Sequence, residues 1–124
     1  MEELIYKDEA YEIVGLCMEV HNQLGNGLLE IIYKESMELE AEERGMEYER
    51  EKEFPVFYKR YQLKKKFFAD FVFFDKIIVE IKAKDSFSNE DVAQVINYLK
   101  LSKCKLGLLI NFGKTRLEVK RIVC

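Results

Sequence analysis

Phe67-Phe68-Ala69-Asp70-Phe71-Val72-Phe73-Phe74-Asp75-Lys76-Ile77-Ile78-Val79-Glu80-Ile81-Lys82-Ala83 is the stretch whose reading decides the fold. Two apolar runs, rich in aromatic and β-branched residues, flank a short polar turn at Asp75-Lys76, which is the pattern of a β-hairpin. Both strands are apolar on both faces, as strands in the middle of a covered sheet are. Into this interior come three charges, Asp70 on the first strand and Glu80 and Lys82 on the second. Side chains alternate with period two, so Glu80 and Lys82 point to one side. A buried charge without partners costs several kcal/mol, so something must offset it. One reading is an ion pair, with Lys82 neutralising Glu80 and Asp70 ending its strand near water. The other is a divalent cation held by two carboxylates, which the third charge and the flanking apolar density favour. It requires Asp70 directly across the hairpin from Glu80. That in turn requires an odd loop, Phe74-Asp75-Lys76, with Phe73 opposite Ile77. A two-residue loop would pair Asp70 with Ile81 and send the acids to opposite faces.

The 124 residues suffice for one domain, 1–124, with a real core. Hydrophobic residues make up 48% and charged residues 35%, a balance that excludes a disordered chain and fits a soluble globular one. No apolar run reaches the roughly 18 residues of a membrane span. Met1 to Lys7 lacks the basic region and apolar core of a signal peptide. Cys17, Cys104 and Cys124 are odd in number and lack metal-ligand spacing, so they read as reduced thiols in a cytoplasmic protein. A net charge of −3 argues weakly against a general nucleic-acid binder, although phosphate contacts depend on local charge.

Working outward from the hairpin, Ile5, Ile13, Leu16, Cys17, Val20 and Leu24 recur at helical spacing and stop at Gly25. His21, the one histidine, lies beside this stripe and reads as a packed or capping residue more readily than a catalytic one. A second helix is predicted from about Leu28 to Arg44, ending at Gly45, with Leu28, Leu29, Ile32, Met37 and Leu39 available for its apolar side. Glu30 and Tyr33 share a face of its first turn; Glu30 there either complements the helix N-terminus or joins a site. Glu47 to Phe57 reads as a strand whose Pro55 marks an edge or bulge, and Lys59-Arg60 as a turn. Lys64, Lys65 and Lys66 read equally as an edge-strand guard or as phosphate contacts. Ser88-Asn89-Glu90-Asp91 opens a third helix close to the capping-box pattern, on which Gln94 and Tyr98 share a face. Leu106 to Phe112 is a buried strand and Leu117 to Val123 a more exposed one. The order is helix, helix, three strands, helix, two strands, a layered α/β domain.

Asp70 followed by a hairpin and Glu80-Ile81-Lys82 resembles the signature of the PD-(D/E)XK nuclease superfamily, with Ala69-Asp70 in the Pro-Asp slot. Gly27-Leu28-Leu29-Glu30-Ile31-Ile32-Tyr33 is similar to the Gly-x-x-Glu-x-x-Tyr pattern of a small bacterial family within it. Gln94-x-x-x-Tyr98 resembles the RecB-type branch, although Val92 stands where related sequences often carry Glu. The resemblance covers nearly the whole chain. It implies a restriction-endonuclease-like αβββαβ core, a mixed central sheet flanked by helices, with an extra N-terminal helix and a C-terminal strand. It implies hydrolysis of phosphodiester bonds, in DNA first, by Mg²⁺ or Mn²⁺ held by Asp70, Glu80, the Ile81 carbonyl and Glu30. Lys82 would serve the attacking water, and Gln94 and Tyr98 would border the site. The expected partner is nucleic acid and not a membrane, and a homodimer is compatible with it. The competing reading is a noncatalytic nucleic-acid-binding or assembly module that keeps the fold.

Overall fold

The computed structural model describes residues 4–124. Met1 to Glu3, part of the stretch read for a signal peptide, lie outside the described residues. The elements are α1 (Lys7–Leu24), α2 (Glu30–Arg44), β1 (Tyr48–Tyr58), β2 (Tyr61–Phe73), β3 (Ile77–Lys82), α3 (Asn89–Ser102), β4 (Leu106–Asn111) and β5 (Glu118–Val123). They run in the order the sequence predicts.

The strands form one sheet in the order β1-β2-β3-β4-β5, parallel between β3 and β4 and antiparallel elsewhere. The parallel pair follows from the α3 crossover, since only a long connection returns a chain to run beside itself in the same direction. β1 is an edge strand, and its register slips between Pro55 and Phe57, just after a proline that has no N–H to give the ladder. The β2–β3 turn is the odd one, with Phe73 opposite Ile77. Phe74 and Asp75 both take left-handed conformations there, at φ 56° and 58°.

Two cores flank the sheet. On one face α1 and α2 cover Phe71, Phe73, Ile77, Val79, Ile81, Leu108 and Phe112. On the other α3 presses Val95 and Leu99 onto Ala69, Val72, Ile78 and Leu109. Each of these side chains other than Ala69 contributes about 1.5–3 kcal/mol by leaving water. α1 buries Ala10, Ile13, Leu16, Cys17 and Val20 and stops at Gly25, whose φ of 71° suits glycine. Ile5 differs from expectation: it precedes α1 and is exposed.

The apolar side assigned to the second helix also needs correction. α2 buries Tyr33, Met37 and Ala41, while Leu28, Leu29, Ile32 and Leu39 are exposed. Residues four apart make one stripe, and Tyr33 fixes which stripe turns inward. Its ring stacks on Phe112 at 4.5 Å, its hydroxyl donates to the Gly25 carbonyl at 2.7 Å, and it accepts from the Leu28 N–H at 3.2 Å.

His21 is buried, with Nε2 at 2.8 Å from the Lys114 carbonyl, a packing role. All three cysteines are free. No helix among the described residues is long and apolar enough to cross a membrane.

Candidate active site

The site forms where β2 and β3 part. The two strands pair from Phe73–Ile77 to Phe71–Val79, and the next position in that register sets Asp70 opposite Glu80. Side chains take over from the backbone ladder at this fork. The Asp70 N–H donates to Glu80 Oε2 at 2.6 Å, and the Ile81 N–H donates to Asp70 Oδ2 at 2.8 Å. On the other flank of β2, Arg50–Phe71 and Lys52–Ala69 are paired while Glu51 and Asp70 between them are not. Glu51 sits at φ 54°, a conformation costing a non-glycine residue about 1–3 kcal/mol. Both neighbours of β2 thus break their regular pairing at Asp70, which frees its backbone N–H to donate to Glu80.

Glu80 is only 3% exposed. Burial, followed by the charge of Asp70 beside it, pushes its carboxyl up to about 8. Lys82 does not form the simple ion pair with Glu80 that one reading of the sequence offers. Its ammonium lies 3.3 Å from Gln94 Oε1 and 3.8 Å from Asp91 Oδ1. Gln94 Nε2 continues the chain by donating to the Tyr98 hydroxyl at 3.0 Å. Tyr98 stacks on Phe67, which stacks on Phe54. Burial, then the Glu80 charge, raises the Tyr98 hydroxyl above its ordinary range.

α3 is aimed by its first turn. Ser88 and Asp91 close a capping box, with Ser88 N–H donating to Asp91 Oδ2 at 2.8 Å and Asp91 N–H to Ser88 Oγ at 3.2 Å. Burial pushes the Asp91 carboxyl up, but Lys84 at 2.6 Å and the Ser88 bonds outweigh it and hold the group below the usual range. Asp91 therefore fixes the helix start and the Lys82 ammonium together.

From the opposite layer, α2 sends in Lys34. Its ammonium is 2.9 Å from Asp70 Oδ1 and 3.4 Å from Glu30 Oε1. Burial acts to lower the Lys34 pKa, and the two carboxylates more than reverse this, so the lysine is held charged.

The family model of the PD-(D/E)XK nuclease superfamily matches residues 7–122. The chain belongs to this superfamily. No curated protein and no solved structure matches it significantly. Its five-stranded mixed sheet with three helices is consistent with the restriction-endonuclease-like fold. Within this PD-(D/E)XK chain, Asp70 contacts Glu80, and Lys82, Gln94 and Tyr98 form a second line of contacts near enough for Lys82 and Tyr98 to feel the Glu80 charge. Glu30 does not reach the carboxylate pair directly and touches Asp70 only through Lys34. Accordingly, no group of three or more His, Cys, Asp or Glu side chains among the described residues is placed for a metal. The residues that sequence reasoning missed are Lys34 and Asp91. Lys34 was signalled by lying four residues after Glu30 on one helix face, and Asp91 only by its cap.

The donor set suits a hard divalent cation nonetheless. Mg²⁺ is ordinarily bound by one or two carboxylates together with water and substrate phosphate. Two adjacent carboxyl groups, one driven toward its neutral form by burial and by the other's charge, are what such a cation relieves.

Proposed function

We propose that this superfamily member is a metal-dependent nuclease hydrolysing phosphodiester bonds, in DNA first, with Asp70, Glu80 and the Ile81 carbonyl as metal donors. The observation that carries it is the buried contact of Asp70 with Glu80 beside the Lys82–Gln94–Tyr98 chain. A Mg²⁺ or Mn²⁺ there would act as a Lewis acid on phosphate and lower the pKa of its water. Lys82, steadied by Gln94 and Asp91, orients the attacking water and offsets charge growing on the phosphate oxygens. Gln94 and Tyr98 border the substrate, and Glu30 is an outer carboxylate reached through Lys34. The Gly27, Glu30 and Tyr33 positions support placement in the Gly-x-x-Glu-x-x-Tyr family: Gly27 has φ 96°, Glu30 opens α2, and Tyr33 ties the loop.

A cleavage assay with Mg²⁺ and Mn²⁺ on single-stranded, duplex and flapped DNA and on RNA tests this. Cutting that disappears in Glu80→Ala is expected; no cutting of any substrate sinks the enzyme reading. One observation favours the second reading, a noncatalytic nucleic-acid-binding module: Lys34 gives Asp70 a cationic partner from within the chain.

Lys34 gives a further prediction. A cation at Asp70 must share Oδ1 with this ammonium or displace it. Lys34→Met should therefore tighten Mn²⁺ binding roughly tenfold, a difference of about 1.4 kcal/mol. The dependence of melting temperature on metal concentration measures it, and equal or weaker binding would show that Lys34 does not compete.

A further inference from the structure

β2 is far longer than the strand on its inner side. Its pairing with β3 covers only Phe71–Phe73, whereas its pairing with β1 runs on to Tyr58–Tyr61. The outer half of β1–β2 is thus a two-stranded arm reaching past the sheet, anchored at its base by the Phe54–Phe67–Tyr98 stack. From Phe54 to Phe68 the arm carries five cations, Lys59, Arg60, Lys64, Lys65 and Lys66, and no acid, in a chain of net charge −3. The facing pair at its tip is aromatic and open: Tyr58 is 61% and Tyr61 54% exposed, and Phe57, which faces Gln62, is 59%. A cation attends each tyrosine, with Lys59 Nζ 5.5 Å from the Tyr58 ring and the Arg60 guanidinium 4.5 Å from that of Tyr61. The turn keeps Lys59 at φ 54°, where glycine would be the unstrained choice. The arm is also continuous with the site. A cleft of about 490 Å³ is lined by Lys65, Lys66, Phe67 and Phe68 on one side and by Gln94 and Tyr98 on the other.

From this placement we infer that the β1–β2 arm binds single-stranded nucleic acid, stacking bases on Tyr58 and Tyr61 and tracking the phosphates with its lysines toward Gln94 and Tyr98. The inference rests on the proposed nuclease function and names the strandedness of its substrate. Exposed rings need unstacked bases, and every base has a face to offer. A duplex presents phosphates to the lysines but keeps its base faces stacked away, leaving the tyrosines nothing to bind.

Fluorescence anisotropy with a labelled oligothymidine and a duplex of the same length, in EDTA and over a salt series, tests it. The wild type should bind the single strand more tightly than the duplex. Tyr58→Ala with Tyr61→Ala should weaken single-strand binding roughly tenfold per ring at unchanged salt slope, and Tyr58→Phe with Tyr61→Phe should restore it. Lys64, Lys65 and Lys66 changed together to Gln should flatten the slope of log affinity against log salt by about 0.7 per lost contact. Tighter duplex binding, alanine variants equal to wild type, or no binding by wild type overturns the inference. Because EDTA removes metal, these failures are distinct from failure of the Asp70–Glu80 site, which metal-dependent melts report separately.

Discussion

Glu80→Gln should leave the metal-free protein at least as stable as wild type and abolish any rise in melting temperature that Mg²⁺ or Mn²⁺ confers. Glu80 is buried against Asp70, and its ionised form is disfavoured by burial and by that neighbouring charge. Glutamine keeps an amide oxygen that can accept the Asp70 N–H now bound by Oε2, removes one like charge, and offers an amide N–H to Asp70. Lys82 is not stranded by the change, since Gln94 and Asp91 already hold it. What is lost is a metal donor, and with it stabilisation scaling as RT ln(1 + [L]/Kd). A purely structural ion pair predicts the reverse, a loss of about 3–5 kcal/mol and indifference to metal. Thermal melts of both proteins with and without metal separate the two accounts.

The same residue sets a pH dependence. Its folded-state pKa of about 8 lies above the ordinary value of 4.5. A carboxyl raised in this way favours the fold while protonated, so its contribution is fully present below about pH 4.5. It is lost as pH rises through about 8, because the unfolded chain ionises freely and the folded one resists. The loss is on the order of 5 kcal/mol, or roughly 15–25 °C in melting temperature for a domain of this size. Metal-free wild type should therefore melt lower at pH 9 than at pH 5, and Glu80→Gln should show much less of this slope. Metal binding should strengthen over the same range, since proton and cation compete for one carboxylate.

The hairpin was legible because its physics is local. Aromatic and β-branched runs with a three-residue loop leave one register that puts Asp70 across from Glu80, and the structure has that register. The start of α3 was legible for the same reason, Ser88 and Asp91 closing their cap three residues apart. Rotation of α2 was not legible, because Leu29, Ile32 and Leu39 look as apolar as the residues actually buried. The choice is made by Tyr33, whose partners Gly25 and Phe112 lie on two different segments. Lys34 escaped for a related reason. Its role depends on Asp70, 36 residues away and in another layer, and nothing in a helix pattern announces a partner across the sheet. The Lys82–Asp91 contact likewise needs the crossover to bring α3 back over β3.

Gly113→Ala should be the most damaging of the glycine-to-alanine changes. After β4 the backbone passes hard against the segment leaving β3. A Cβ at Gly113 would lie 2.7 Å from the Lys84 carbonyl carbon and closer still to its N and O. Backbone cannot swing aside as a side chain tip can, and here it is also clamped. The fully buried Asn111 accepts the Lys84 N–H and the Gly113 N–H through Oδ1, both at 3.0 Å, and donates through Nδ2 to the Lys84 carbonyl at 2.8 Å and to Glu118 at 3.0 Å. Relieving the overlap means breaking several of these bonds, each costing about 1–3 kcal/mol when left unmade in the interior, on top of overpacking strain of about 1–3 kcal/mol. The expected loss is at least about 3 kcal/mol, read as a fall in melting temperature or in the denaturant midpoint. It should also reach the chemistry, because Lys84 is bonded to Asp91 and Asp91 contacts Lys82. Displacing Lys84 therefore moves the lysine proposed to serve the attacking water, while Asp70 and Glu80 at the fork keep their contact. In Gly113→Ala that still folds at low temperature, metal should continue to raise the melting point while cleavage falls. Wild-type stability in this variant would mean that Lys84 moves freely and that the Asn111 clamp does not position the site.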